Sequence, residues 1–230
     1  MSQVPRHLSV AVVIPVLNEA ALLPAAIERC RQLSADELVY ADGGSTDGTR
    51  EIMQAAGVHW VASKPGRATQ MNLASASCKS DVFLFLHVDT SVYSGHIDAI
   101  RQVMQDETIA GGRFDVRLSG HHPALRVIEH MINLRSRLTR ISTGDQAMFI
   151  RRSVFERLGG FPEQPLLEDV ELSRWLKRAG KIACLRQQVE TSSRRWEANG
   201  MVRTVLLMWL IRLRYWLGAD PARLHRLYSR

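Results

Sequence analysis

Two rhythms alternate along the chain. Val10-Ala11-Val12-Val13-Ile14-Pro15-Val16 and the stretch from Asp81 through Val82-Phe83-Leu84-Phe85-Leu86-His87-Val88 to Asp89 are almost continuously apolar. Runs of this kind, rich in Val and Phe and without a helical stripe, predict strands buried on both faces. Between them, Leu22, Leu23, Ala26, Ile27 and Cys30 recur at helical spacing and predict a helix from about Ala20 to Leu33. Glu37 to Ala41 then reads as a short strand, Thr49 to Ala56 as a helix and Val58 to Ala62 as a third strand. This βαβαβ alternation predicts an α/β fold with a Rossmann-like, mostly parallel central sheet and helices on both faces. Pro15 has no N–H and is expected to end the first ladder.

The second half is more mixed. Ser94 to Met104 reads as a helix and Gly111 to Leu118 as an alternating strand. From Pro123 to Ile141, Val127, Met131, Leu134, Leu138 and Ile141 recur at intervals of three and four, which predicts a helix. Arg126, Arg135, Arg137 and Arg140 are expected on its solvated face. Ala147 to Ile150 is a short strand, Gly159-Gly160-Phe161-Pro162 a turn, and a helix with the stripe Leu172, Trp175, Leu176 and Ala179 opens at Glu168. This divides the chain into one domain over 1–199, with halves 8–90 and 91–199, and a basic amphipathic helical extension over 200–230.

In that extension Val205 to Ile211 is apolar but far short of the ~20 residues needed to cross a bilayer. Trp209, Tyr215 and Trp216 stand among Arg203, Arg212, Arg214, Arg223, Arg226 and Arg230. Two readings fit. One is an interfacial helix on a membrane surface; the other is a helix packed across the domain, its arginine heads reaching water. On a helical wheel Arg203 and Arg214 share a face, and Arg212 falls nearly opposite.

Composition narrows the classes. Of 230 residues, 46% are hydrophobic and 23% charged, as in an ordinary soluble globular domain. The net charge of +7 comes from 30 basic and 23 acidic residues, and arginine dominates from Arg117 onward. That balance favours an anionic partner. A nucleic-acid-binding module would satisfy it, but no helix-turn-helix, RNP or zinc pattern is present, and Asp42, Asp89 and Asp169 would have no role. Cys30, Cys78 and Cys184 are widely spaced, which argues for a reducing compartment and against a disulfide framework or zinc site. Met1 to Ser9, with Pro5, Arg6 and His7, contains no long apolar segment, so no signal peptide is read and the cytoplasm is the expected location.

Candidate chemistry collects at predicted strand ends, where ligands of open α/β sheets gather. His87 and Asp89 alternate along an extended segment and are expected on one side, although polar capping of a strand end explains them equally. Asp42-Gly43-Gly44-Ser45-Thr46-Asp47-Gly48 combines a carboxylate with close backbone approach and a helix cap, and an Asx-type turn accounts for it as well. Neither a G-x-G-x-x-G after the first strand nor a P-loop occurs. A nucleotidyltransferase would carry a Gly-rich basic loop there, and Leu17-Asn18-Glu19-Ala20 is unlike one. Glu168-Asp169 opens a helix, which dipole complementarity alone would favour.

Taken in order, Val13-Ile14-Pro15-Val16-Leu17-Asn18-Glu19, Ala41-Asp42-Gly43-Gly44-Ser45-Thr46-Asp47-Gly48-Thr49, Gly66-Arg67-Ala68-Thr69-Gln70-Met71-Asn72 and Leu86-His87-Val88-Asp89 resemble the donor-binding half of family 2 glycosyltransferases of GT-A fold, of the short stand-alone bacterial type. The resemblance runs from Val10 to about Trp196. It implies a hexosyltransferase using a nucleotide-sugar, with UDP as the expected nucleotide. Pro15, Asn18, Glu19, Asp42, Gly44, Arg67 and His87 would form the donor site. The family's Asp-x-Asp stands here as His87-Val88-Asp89, which leaves Asp89 as ligand to a divalent Mn²⁺ or Mg²⁺. Asp169 would be the general base of an inverting reaction, with Glu168 as the alternative. Asp145 and Gln146 fall in a segment that lines the family's acceptor side. Ser192-Ser193-Arg194-Arg195-Trp196 resembles the Gln-x-x-Arg-Trp signature of processive synthases, with Ser192 at the Gln position and no transmembrane channel following. A single addition is therefore implied, with Arg195 and Trp196 flanking the acceptor or the diphosphate. The acceptor would be a small molecule or lipid-linked, in the latter case reached from the inner face of the cytoplasmic membrane.

Overall fold

The computed structural model describes residues 6–228, the side chain of Arg195 excepted. Met1–Pro5, on which part of the amino-terminal reading rests, and Arg230 lie outside the described residues. Eight strands form one sheet in the order β3-β2-β1-β4-β7-β6-β8-β5. These are β1 (Val10–Val16), β2 (Glu37–Asp42), β3 (Trp60–Ala62), β4 (Val82–Phe85), β5 (Thr90–Ser91), β6 (Ile109–Leu118), β7 (Phe149–Arg151) and β8 (Lys181–Thr191). β3, β2, β1 and β4 run parallel, whereas β7 inserts antiparallel between β4 and β6. β6 and β8 are again parallel, and β5 closes the edge antiparallel to β8. The sheet is thus parallel where the nucleotide half was expected and mixed beyond it.

Two-sided burial shapes the parallel half. Val10, Val12, Ile14 and Val16 join Leu84 and Leu86 in a core beneath α1 (Leu23–Arg31) and α4 (Ser94–Val103). Ala11 and Val13 join Phe83 and Phe85 in a second core on the opposite face, beneath α3 (Arg67–Ala76), α6 (Arg152–Leu158) and α7 (Glu168–Ala179). α2 (Thr49–Ala55) adds Met53 to the first core. Alternate residues of each strand therefore feed different cores, the physical content of an unbroken apolar run.

Two boundaries differ from the sequence expectation. β1 runs one residue past Pro15, to Val16. The Val13 carbonyl accepts from Leu86 N. By alternation the missing N–H of Pro15 faces the same edge, where β4 has already ended at Phe85, so no ladder bond is lost. β4 itself stops four residues before Asp89, and a turn closed by Thr90 N donating to the His87 carbonyl replaces the extended segment expected there.

The largest correction concerns α5 (Pro123–Thr139). Its apolar stripe, Val127, Met131, Leu134 and Leu138, faces outward, with Leu138 75% exposed. Polar residues face in beside Leu125 and Ile128. β6 pairs with β7 only at Gly111 and Gly112, which leaves its remaining edge on that side without a strand. Side chains of α5 supply the missing partners. Asn133 accepts from Val116 N at 2.8 Å and donates to its carbonyl at 2.9 Å, and Glu129 accepts from Leu118 N at 3.1 Å. Arg126 donates to the carbonyls of Leu118 and Gly120. Arg137 forms a two-oxygen pair with Asp115 at 2.7 and 2.8 Å and donates to the Cys184 carbonyl. Asp115 in turn neutralises Arg113, which is fully buried. Unsatisfied backbone groups cost more than exposed leucines, and this decided the helix's orientation.

α8 (Arg194–Asn199), α9 (Met201–Trp216) and α10 (Pro221–Tyr228) complete the chain. Ile211 and Leu224 are buried against Leu166 and Leu167, so the carboxyl-terminal helices pack on the domain. The outer face of α9 remains apolar and exposed at Val202, Leu206, Trp209, Leu213 and Trp216. No helix among the described residues is long and apolar enough to cross a membrane.

The orientation of α5 yields a direct test. Arg137→Ala removes one of two cations holding the largely enclosed Asp115 carboxylate and is expected to cost roughly 2 kcal/mol. Leu138→Ser should stay within about 0.5 kcal/mol of the parent. Urea denaturation measures both, and the reverse ranking would contradict the inward face described here.

Candidate active site

The carboxyl ends of β1 and β2 are tied to one another by their loops. Asn18, in the left-handed region at φ 55°, accepts from Thr46 N, while its own N–H donates to Ser45 Oγ at 2.9 Å. Glu19 N donates to Thr49 Oγ1 and Ala20 N to Asp47. Asp42 is fully buried and accepts from the Gly44 and Ser45 N–H groups and from Arg50. Burial alone would raise its pKa, but the bonds from Ser45, Arg50 and Gly44 outweigh it and hold the carboxyl below the usual range. Asp42 thus organises its loop, and a nucleotide would share a carboxylate already engaged. Gly44 takes φ 97°, which favours glycine.

Gln70 of α3 locks these loops from below, donating to the carbonyls of Val16 at 2.7 Å and Ala41 at 2.8 Å. A Cβ on Gly43 would lie 2.9 Å from the Gln70 side chain, so glycine is required there by close approach. Pro15 stands beside Ala41 in the register of β1 with β2. Arg67 opens α3 and reaches across to Glu168, Nε to Oε1 at 3.5 Å.

His87 and Asp89 were expected on one side, and the turn after β4 separates them. The His87 ring lies under the 3-10 turn Gly144–Gln146, with Nδ1 3.6 Å from Asp145 Oδ1. A Cβ on Gly144 would sit 2.5 Å from the ring. Asp89 instead lines a shallower depression with Arg29, Ser119, Glu190 and Arg194. Glu19 senses both groups. Burial and the Asp89 charge raise its pKa, against the lowering effect of Arg194.

Among the described residues no cluster of three or more His, Cys, Asp or Glu side chains stands ready as a complete metal cage. Asp89 and Glu19 are carboxylates whose charges reach one another, and both offer hard oxygens. This fits a cation that takes one or two carboxylates from protein and the rest of its shell from phosphate and water.

The carboxylate pair forms the other wall. Leu167, at φ 65°, turns the chain into α7. Glu168 is only 4% exposed, and burial together with the neighbouring Asp169 raises its pKa, opposed by Arg67. Asp169 Oδ2 accepts from Gly144 N at 2.7 Å and Oδ1 from Val170 N at 2.7 Å, so its carboxylate is oriented by two backbone donors. Asp145 faces the same space. Burial opposes its ionisation, but His87, Arg67 and Arg212 hold its carboxyl below the usual range. A cavity of about 290 Å³ is bounded by Arg67, His87, Asp145, Glu168, Asp169 and Trp196, with α5 and α9 as its far wall.

Of the residues singled out in the sequence, Arg67, His87, Asp145, Glu168, Asp169 and Trp196 therefore meet at one cavity. Asp89 lies apart from it, lining the neighbouring depression, and Gln146 is buried behind its turn. Arg195 lies in α8 by its backbone, and its side chain is outside what is described. Sequence reasoning missed Arg135 and Arg212, which also line the cavity. Arg135 was assigned to a solvated face, and the only sign of Arg212 was its position opposite Arg203 and Arg214.

An α/β sheet with a switch from parallel to antiparallel order, loops gathered at the strands' carboxyl ends and an acidic pair facing them is the GT-A architecture. The model of glycosyl transferase family 2 matches residues 11–159, about two-thirds of the chain, and the chain belongs to that family. No curated protein matches it in sequence. Among solved structures, S. aureus TarS residues 1–349 superposes with a TM-score of 0.65 at 16% identity, covering 80% of this chain and 60% of that one. A complex of TarS with UDP-GlcNAc gives 0.64 at 16% identity, covering 80% and 58%. Glucosyl-3-phosphoglycerate synthase from Mycobacterium tuberculosis, in complex with Mn²⁺, UDP and glucosyl-3-phosphoglycerate, gives 0.61 at 23% identity, covering 89% and 80%. The chain thus spans about 60% of the TarS segment.

Proposed function

We propose that the protein transfers one hexosyl unit from a nucleotide-sugar, UDP being the favoured nucleotide, to an acceptor hydroxyl with inversion. The observation that carries this reading is the meeting of Arg67 from the donor half (8–90) with Glu168 and Asp169 from the acceptor half (91–199) at one cavity. UDP-sugar and UDP complexes of the structural neighbours support the donor class.

Pro15, Asn18, Glu19, Asp42 and Gly44 form the shelf for base and ribose, with Gln70 fixing its height. Arg67 offers forked donors to the diphosphate oxygens, and its pairing with Glu168 keeps it in place. When bound at Asp89, Mn²⁺ or Mg²⁺ would neutralise charge on the departing diphosphate, and the Mn²⁺ and Mg²⁺ complexes of a neighbour support such a cofactor. The acceptor oxygen attacks the anomeric carbon as the bond to the diphosphate oxygen breaks, and its proton passes to Asp169. Two backbone donors aim that carboxylate at the cavity while leaving lone pairs available. Glu168, held under Arg67, is less accessible to an acceptor. Trp196 and Asp145 border the acceptor space.

The exposed apolar face of α9, flanked by Arg203 and Arg214, supports a further element of the reading, peripheral docking on an anionic membrane surface where a lipid-linked acceptor would be met. The inner face of the cytoplasmic membrane is the proposed location.

Asp169→Asn is nearly isosteric and should retain UDP affinity while turnover falls by roughly two to four orders of magnitude. Steady-state kinetics with UDP-sugar donors measures this, and a dead Glu168→Gln beside an active Asp169→Asn would exchange the two roles. Flotation with phosphatidylglycerol liposomes should recover the protein at low salt. The double variant Leu206→Ser, Trp216→Ser changes exposed residues outside the cavity, and should fold yet remain unfloated. Equal flotation of parent and variant, or none of either, would refute docking through α9.

A further inference from the structure

Arg135 of α5 and Arg212 of α9 come from segments remote in sequence and both face the cavity that holds Asp169. Neither forms an ion pair with a carboxylate among the described residues. Arg135 donates from Nη1 to the Ile141 carbonyl at 3.3 Å, while its Nε and Nη2 are enclosed without a partner, as is Nε of Arg212. Enclosed guanidinium donors left unbonded cost free energy, and two cations side by side repel. The strain registers in their protonation. Burial, with Arg212 adding to it, pushes the Arg135 pKa down to about 10, and burial likewise lowers that of Arg212. The carboxylate with the largest influence on both is Asp169, already bonded by Gly144 and Val170.

Such a pair is matched by a compact oxyanion, whose oxygens accept several N–H bonds at once and cancel the repulsion. The wall beside the arginines is apolar, formed by Ile128, Met131, Ile132, Val205, Met208 and Trp209. We propose that Arg135 and Arg212 form an oxyanion site that selects acceptors bearing a phosphate or carboxylate next to an apolar portion. The proposal rests on the reading of this cavity as the acceptor's, and it adds the acceptor's chemical class. It also explains how an anionic acceptor is tolerated near a diphosphate and two acidic side chains: the arginine pair offsets their repulsion.

Phenyl phosphate, with phenol as the uncharged control, probes the site by calorimetry on the full chain. The parent should bind phenyl phosphate at least tenfold more tightly than phenol. Arg135→Met with Arg212→Met should abolish that preference, leave UDP affinity within about twofold and leave the melting temperature unchanged or raised, because uncompensated enclosed charges have been removed. Equal binding of phenyl phosphate by parent and variant, or no binding by the parent, would overturn the proposal. So would a fall in UDP affinity equal to that for phenyl phosphate, since the arginines would then serve the donor's diphosphate. Monomeric dihexanoyl phosphatidic acid, which offers no membrane surface for α9, would identify a lipid source of the oxyanion if the parent binds it more tightly than phenyl phosphate and the double variant does not bind it; tighter binding of phenyl phosphate would identify a soluble one. Phosphate binding without any sugar transfer would leave this site standing and remove the glycosyltransferase reading. Transfer to uncharged acceptors without phosphate binding would do the opposite.

Discussion

The ion pair between Arg67 and Glu168 is the contact on which the arrangement of the site depends. It joins the first helix turn of α3, fixed by the parallel half of the sheet, to the start of α7, fixed by the mixed half. A carboxylate as enclosed as Glu168, with Asp169 next to it, would otherwise favour its neutral form, and Arg67 is the cation that offsets this. Asp169 is stabilised differently, by backbone N–H groups of Gly144 and Val170. The two neighbouring acids therefore differ in what they can do: one is bound to a cation, the other is oriented and open to the cavity.

Where apolar pattern and backbone demand agree, as in β1 and β4, the sequence was a sound guide to the fold. Val10 to Val16 and Val82 to Phe85 are surrounded by strands on both edges, and only side chains decide their environment. The same logic failed at α5. Its leucines and methionine suggested a core face, but the free edge of β6 needed hydrogen-bond partners, and Asn133, Glu129, Arg126 and Arg137 supplied them. That demand arises from how little of β6 is covered by β7, a property of topology invisible in the local pattern.

The site was legible to a similar degree. Glu168, Asp169, Arg67 and His87 stand at element ends, where polar residues after apolar runs mark them out. The split between His87 and Asp89 was not legible, because it follows from β4 ending at Phe85 and a turn interrupting the extended segment expected to run on to Asp89. Arg135 and Arg212 could not be paired from sequence, since some 76 residues separate them and each resembles a surface arginine of an amphipathic helix. Arginines of the second half such as Arg117, Arg140 and Arg203 stay exposed, and those turned toward the protein have three destinations. Some neutralise partly buried acids, as Arg137 does, some satisfy carbonyls, as Arg126 does, and some face the cavity.

On the proposed function, the loops around Asp42 and Asp89 bind a nucleoside diphosphate with help from a divalent cation. Titration of the protein with UDP in the calorimeter, with Mn²⁺ and with EDTA, tests it most directly. Binding should be at least tenfold tighter with Mn²⁺, and Asp89→Asn should remove this enhancement while sparing the weaker metal-free binding. UDP binding of equal strength with and without metal, or none under either condition, would contradict it.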